Sequence, residues 1–241
     1  MKRLFPDMYD RPGNWMPVPG IAYWVFAFFV LPTWLPMIAD GLTKSYAGAS
    51  WVDIALHIVN GLVVFFIYRS YAVESFLNVQ LDTRKFFKTV GLASLITVGL
   101  AVEMYLFPVE AVWDAYPMNE STLMITPGLL VDTLPLYGTL CHVLITPIVV
   151  VGLFYVPVFA PMCCRKPLLG YVMVTLALLV PLVADIMYRD TLELLGEMFL
   201  LQLPIHLIAC WSYQKADTVW APIATLSIFN LATSILSMLF I

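Results

Sequence analysis

Residues 139–160 read TLCHVLITPIVVVGLFYVPVFA, a run without a single Asp, Glu, Lys or Arg. About 20 apolar residues suffice to carry a helix across a hydrocarbon core. Lipid offers no hydrogen bonds to a bare backbone, so such a run must be helical. The spacing predicts a transmembrane helix, kinked where Pro147 and Pro157 remove backbone N–H donors.

The same texture extends through the 241 residues: 61% are hydrophobic, 12% are charged, and the mean hydropathy is +0.89. A soluble domain carries about 25% charged residues, so this chain lacks the charge to coat itself against water. Twelve Lys and Arg against sixteen Asp and Glu leave a net charge of −4, which excludes a basic nucleic-acid footprint. The composition predicts an all-α, polytopic transmembrane helix bundle.

Seven stretches have the length or nearly the length to cross: Ile21–Ala39, Trp51–Tyr68, Phe86–Phe107, Thr139–Ala160, Leu168–Met187, Leu192–Trp211 and Thr218–Phe240. Residues 1–20 then form a cytoplasmic N-terminal segment, and 21–241 a single transmembrane domain. The first 20 residues lack the apolar core of a cleavable signal peptide. An eighth piece, Leu123–Leu136, is short and broken by Pro127, Gly128, Asp132 and Pro135, and reads as re-entrant or interfacial.

Lys and Arg near span ends set the orientation. With the N-terminus inside, the cytoplasmic segments hold Lys2, Arg3, Arg11, Arg69, Arg84, Lys85, Lys88, Arg165, Lys166 and Lys215, against Lys44 and Arg189 outside. A full crossing by Leu123–Leu136 would weaken this bias. The pattern therefore predicts seven crossings with the C-terminus external. Trp220, at a span end, reads as part of an interfacial aromatic belt.

Ionisable residues at membrane depth are costly and mark functional candidates: Asp53, His57, Glu103, Asp132, His142, Asp185, Glu193, Glu197 and His206. Asp53 and His57 share one helix face, with Asn60 a turn later. Glu197 and His206 lie nine residues apart, about 13 Å along a helix, so they join in one site only if Pro204 breaks the helix sharply. The spacing supports no metal site, no cofactor and no Ser/His/Asp arrangement. Cys163-Cys164 is no metal-ligand spacing.

The run from Ile208 through Trp220-Ala221-Pro222-Ile223 to Asn230 resembles the CPBP family (CAAX protease and bacteriocin-processing, or Abi) of intramembrane proteases. The resemblance covers about 139–236, and it admits an eight-helix CPBP-like core. It places Val150 and Val151 at the family's paired glutamates, Tyr155 at its arginine, and Asp185 and Leu226 at its two histidines; Asn230 alone survives. Valine and leucine can neither exchange a proton nor bind a metal, so the resemblance implies a pseudo-protease with Tyr155 hydrogen-bonded to Asn230 or Asp185. It further implies a bacterial plasma-membrane scaffold, regulatory or immunity-type subunit, whose partner is another integral membrane protein or a second copy. A small-molecule or ion transporter using Glu103 and Asp132 is the alternative from another class. An intramembrane protease with a relocated site built from His142, His206, Glu193 or Glu197 is the third.

Overall fold

The computed structural model describes residues 22–23, 46–106, 139–189 and 194–240, and all the elements within them are helical. In chain order these are α1 (Tyr46–Leu81), α2 (Thr83–Leu106), α3 (139–165), α4 (Pro167–Arg189), α5 (Leu194–Ala216) and α6 (Trp220–Phe240). Three apolar stretches among the described residues are long enough to cross a membrane: Ile58–Leu81, Thr83–Glu103 and Cys141–Cys163. The segment Leu123–Leu136 and most of Ile21–Ala39 lie outside the described residues.

Helix α1 runs well past the predicted end at Tyr68. Arg69 and Glu74 interrupt the apolar run, but no glycine or proline occurs between Gly61 and Leu81 to stop a helix, and the inward face continues through Tyr71 and Ser75. Charge ended the apolar pattern without ending the helix.

The polarity of α1 is inverted relative to a soluble helix, apart from Arg69 and Glu74, which are exposed. Phe66 is 67% exposed, and Leu62 and Leu77 also face outward, whereas Asn60 is 3% exposed and Tyr71 and Ser75 are buried. On α2, Leu95 is 71% exposed while Ser94 and Thr97 are buried. Apolar side chains outside and hydroxyls inside suit a hydrocarbon solvent, and the chain is accordingly a membrane-embedded helical protein.

Helix α3 is the centre: 72% of its apolar window is buried, against 22% for α1 and 33% for α2. It is not a regular α-helix. Cys141–Ile145 and Val151–Phe159 are π-helical, flanking a short α-helical piece at Thr146–Val150. The widened turns close through bonds from the Thr146 N–H to the Cys141 carbonyl and from the Ala160 N–H to the Tyr155 carbonyl. Pro157 lies within the second stretch. Its ring and missing N–H oppose the four-residue register, and a five-residue register relieves that conflict.

Two glycines let α1 and α3 touch. A Cβ on Gly152 would lie 2.0 Å from Val64 Cγ1, and one on Gly61 would lie 2.7 Å from Ile145 Cγ2. The α3–α4 connection is Lys166 alone, extended as the residue before a proline should be, with Pro167 opening α4. Gly170 packs there against the Cys163 backbone.

A polar clamp fixes the other tight connection, between α5 and α6. Asp217 takes a positive φ of 58° and ends α5, its N–H bonding the Tyr213 carbonyl at 2.9 Å. The Thr218 hydroxyl donates to the Ser75 carbonyl at 2.9 Å. A hydroxyl has one proton, so Ser75 must be the donor in the 2.8 Å contact between the two side-chain oxygens. Ser75 Oγ then accepts the Val219 N–H at 2.8 Å, and Thr218 Oγ1 accepts the Trp220 N–H at 3.3 Å. A serine on α1 thus helps satisfy the orphan donors at the start of α6. Asn78 Nδ2 donates to the Asp217 carbonyl at 2.7 Å. Trp220 Nε1 donates to the Ala72 carbonyl at 2.9 Å, so its indole ties α6 to α1.

These contacts give the helix directions. Thr218 beside Ser75, and Asn230 reaching His142 near the Gly61 level, run α6 antiparallel to α1. Val90 meets Ala216 and Ala221, and Leu100 reaches the main core farther along. Helix α2 therefore returns from the clamp end beside α6. The basic connections carrying Arg84, Lys85, Lys88, Lys166 and Lys215 gather at the clamp end, while α2 ends and α3 begins at the opposite one.

Two outcomes follow for unfolding measured in detergent. Gly152→Ala should cost about 2 kcal/mol through overpacking, with much of it regained when Val64→Ala is added. Thr218→Val should cost about 2 kcal/mol, because it leaves buried partners unpaired. Ser75→Ala should add a further loss in the Thr218→Val background, because it also removes the acceptor of the buried Val219 N–H.

Candidate functional site

The buried core contains a group of tyrosines around α3 and α5. Tyr68, Tyr71, Tyr155 and Tyr213 belong to one cluster with Val150, Val151, Phe154, Phe159, Cys210 and Leu226. Tyr155 is fully buried and projects from the second π-helical stretch of α3. Its hydroxyl lies 2.7 Å from His206 Nδ1, and the two rings meet edge-on at 88°. His206 sits on α5, on a buried face shared with Cys210 and Tyr213 one and two turns later. Tyr213 closes the row by a hydroxyl–hydroxyl bond to Tyr71 on α1.

The expected partners of Tyr155 were Asn230 or Asp185. Its hydroxyl is instead held by His206, and Asn230 Nδ2 donates to the His142 carbonyl at 2.8 Å. Asn230 meets α3 at His142, thirteen residues before Tyr155, and the Asp185 side chain lies outside the described residues. Helix α5 runs unbroken through Pro204 from Leu194 to Ala216. His206 is therefore kept about two and a half turns from Glu197 along the helix.

Val150, Val151 and Leu226 are all buried in this same core. Glu103 is exposed in the last turn of α2, not turned into the bundle as a transport site would require. Asp132 and Glu193 lie outside the described residues, as do the side chains of Asp53, His57, Asp185 and Glu197. The described acids Glu74 and Asp82 are exposed, and Asp217 is half-buried in the α5–α6 turn. No three His, Cys, Asp or Glu side chains among the described residues gather closely enough to hold a metal ion. Cys141 and Cys210 are buried free thiols.

The chemistry available is accordingly narrow. A buried tyrosine–imidazole pair can orient a hydroxyl or pass a proton. It has no carboxylate among the described core residues to make a water nucleophilic.

The Tyr155–His206 pair was missed in the sequence because its members lie 51 residues apart. The usable signal was that each is a polar group set mid-helix among apolar neighbours, and buried polar groups need partners. Tyr155→Phe should destabilise the protein by about 1–3 kcal/mol by orphaning the imidazole. Adding His206→Leu should recover part of that loss, and a double-mutant cycle on thermal unfolding reads the coupling. No family model, curated protein or solved structure matches the chain.

Proposed function

We propose that the chain is a non-catalytic, CPBP-like membrane protein that binds another integral membrane protein as a scaffold, regulatory or immunity-type subunit. The carrying observation is that Val150, Val151 and Leu226 share one buried apolar core with Tyr155, whose hydroxyl is already engaged by His206. A proteolytic site needs a polar, water-holding cavity at such positions, and packed valines leave none of its chemistry. The exposed apolar flanks of α1 and α2 supply surface for lipid or for partner helices.

In this reading the protein crosses a bacterial plasma membrane seven times, with the N-terminus cytoplasmic and the C-terminus external. Support comes from the gathering of Arg84, Lys85, Lys88, Lys166 and Lys215 at one end, as the positive-inside rule asks of cytoplasmic loops. That α2 ends and α3 begins at the same end fits a segment between them that does not cross.

A transporter is the second reading, favoured by the buried polar stripe of α1 at Asn60, Tyr68, Tyr71 and Ser75, continued by half-buried Asn78. The two readings separate in one preparation. Purified in mild detergent, the chain should carry one integral membrane protein at fixed stoichiometry and leave a peptide library uncut. Cleavage abolished by His206→Ala would overturn the non-catalytic reading. Solute flux in proteoliposomes without any partner would favour the transporter.

A further inference from the structure

The stripe on α1 is paired along only part of its length. Tyr71 meets Tyr213, Ser75 meets Thr218, and Asn78 meets the Asp217 carbonyl. Towards the other end, Asn60 accepts the Tyr23 hydroxyl through Oδ1. Its Nδ2, however, has no hydrogen-bond partner among the described residues, and neither does the Tyr68 hydroxyl. Asn60 is 3% exposed and Tyr68 is 5% exposed, so bulk solvent does not serve these atoms. Tyr68 occupies the α1 face that meets α3, its ring 3.6 Å from where a Gly152 Cβ would be, and Asn60 lies about two turns before it, next to Gly61, which adjoins Ile145. Helical side chains lean towards the N-terminus, which carries the Tyr68 hydroxyl back along α1 in the direction of Asn60.

Helix α3 supplies acceptors at this level. Pro157 has no N–H, so the carbonyls five and four residues before it, Gly152 and Leu153, share one helical donor fewer. The Tyr68 ring therefore lies beside a stretch of α3 with spare acceptor capacity, and Asn60 lies about two turns along α1 from it. Water bound inside a protein typically bridges two to four such groups.

We infer that the α1–α3 interface holds bound water, anchored by the Tyr68 hydroxyl and the Asn60 amide. It forms a polar site that the Tyr71–Tyr213 and Ser75–Thr218 bonds close off at the clamp end. The site does not depend on the partner-binding reading, because it uses neither the outer surface nor the Tyr155–His206 pair.

Radiolytic hydroxyl-radical labelling of the intact chain in nanodiscs tests it, since radicals form at bound water. Tyr68 should be oxidised several-fold faster than the fully buried Phe154 and Phe159. Labelling no faster than those two residues overturns the inference. Tyr68→Phe provides an independent readout through the thermal midpoint. Deleting a hydrated hydroxyl leaves the midpoint unchanged or lower, whereas deleting a dry, orphaned one raises it, and a rise also overturns the inference.

Discussion

Inside a bilayer a hydroxyl or amide has only protein or trapped water to bond with, and the arrangement of these helices follows from that constraint. The inward stripe of α1 from Asn60 to Asn78 spans about 27 Å of helix, with Arg69 and Glu74 exposed on the outer side. Each polar group on it demands a partner, and those partners decide which helices lie beside α1. The Ser75–Thr218 clamp sets the start of α6, the Tyr71–Tyr213 bond sets the depth of α5, and the glycine contacts at Gly61 and Gly152 set the distance to α3. Apolar burial holds such a bundle together only weakly, because lipid tails are as apolar as the core. Polar pairing and close packing carry the specificity.

The irregularity of α3 belongs to the same economy. Its prolines would open gaps in a standard ladder, and the wider π turns absorb them while keeping Tyr155 inside. Such turns recur at functional positions in other proteins. Here the π stretch presents a tyrosine to a histidine on a neighbouring helix and is surrounded by valine, leucine and phenylalanine. The pair is well placed to fix the α3–α5 register and, among the described residues, has no acid beside it.

Much of the helix inventory was legible in the sequence. Helices α2 to α6 begin and end within a few residues of the apolar runs that announced them, because apolar length is what a membrane helix requires. The clamp half of α1 was not legible, since Arg69 and Glu74 resemble a loop to any measure of hydropathy. The π stretches were hinted at by Pro147 and Pro157, but a proline indicates a disturbance without choosing between a kink and a widened turn. The pairings were the least legible. Tyr155 with His206, Tyr71 with Tyr213 and Ser75 with Thr218 are all long-range, and local spacing carries no record of which helix a buried hydroxyl will meet.

Inverted polarity is the central claim, and spin-label accessibility reads it directly. Labels placed at Phe66→Cys on α1 and Leu95→Cys on α2, in a background without the native cysteines and in reconstituted bilayers, should collide freely with oxygen. They should be shielded from a water-soluble nickel complex. If both positions relax strongly with the nickel complex and weakly with oxygen, these faces are in water and the account of the bundle fails.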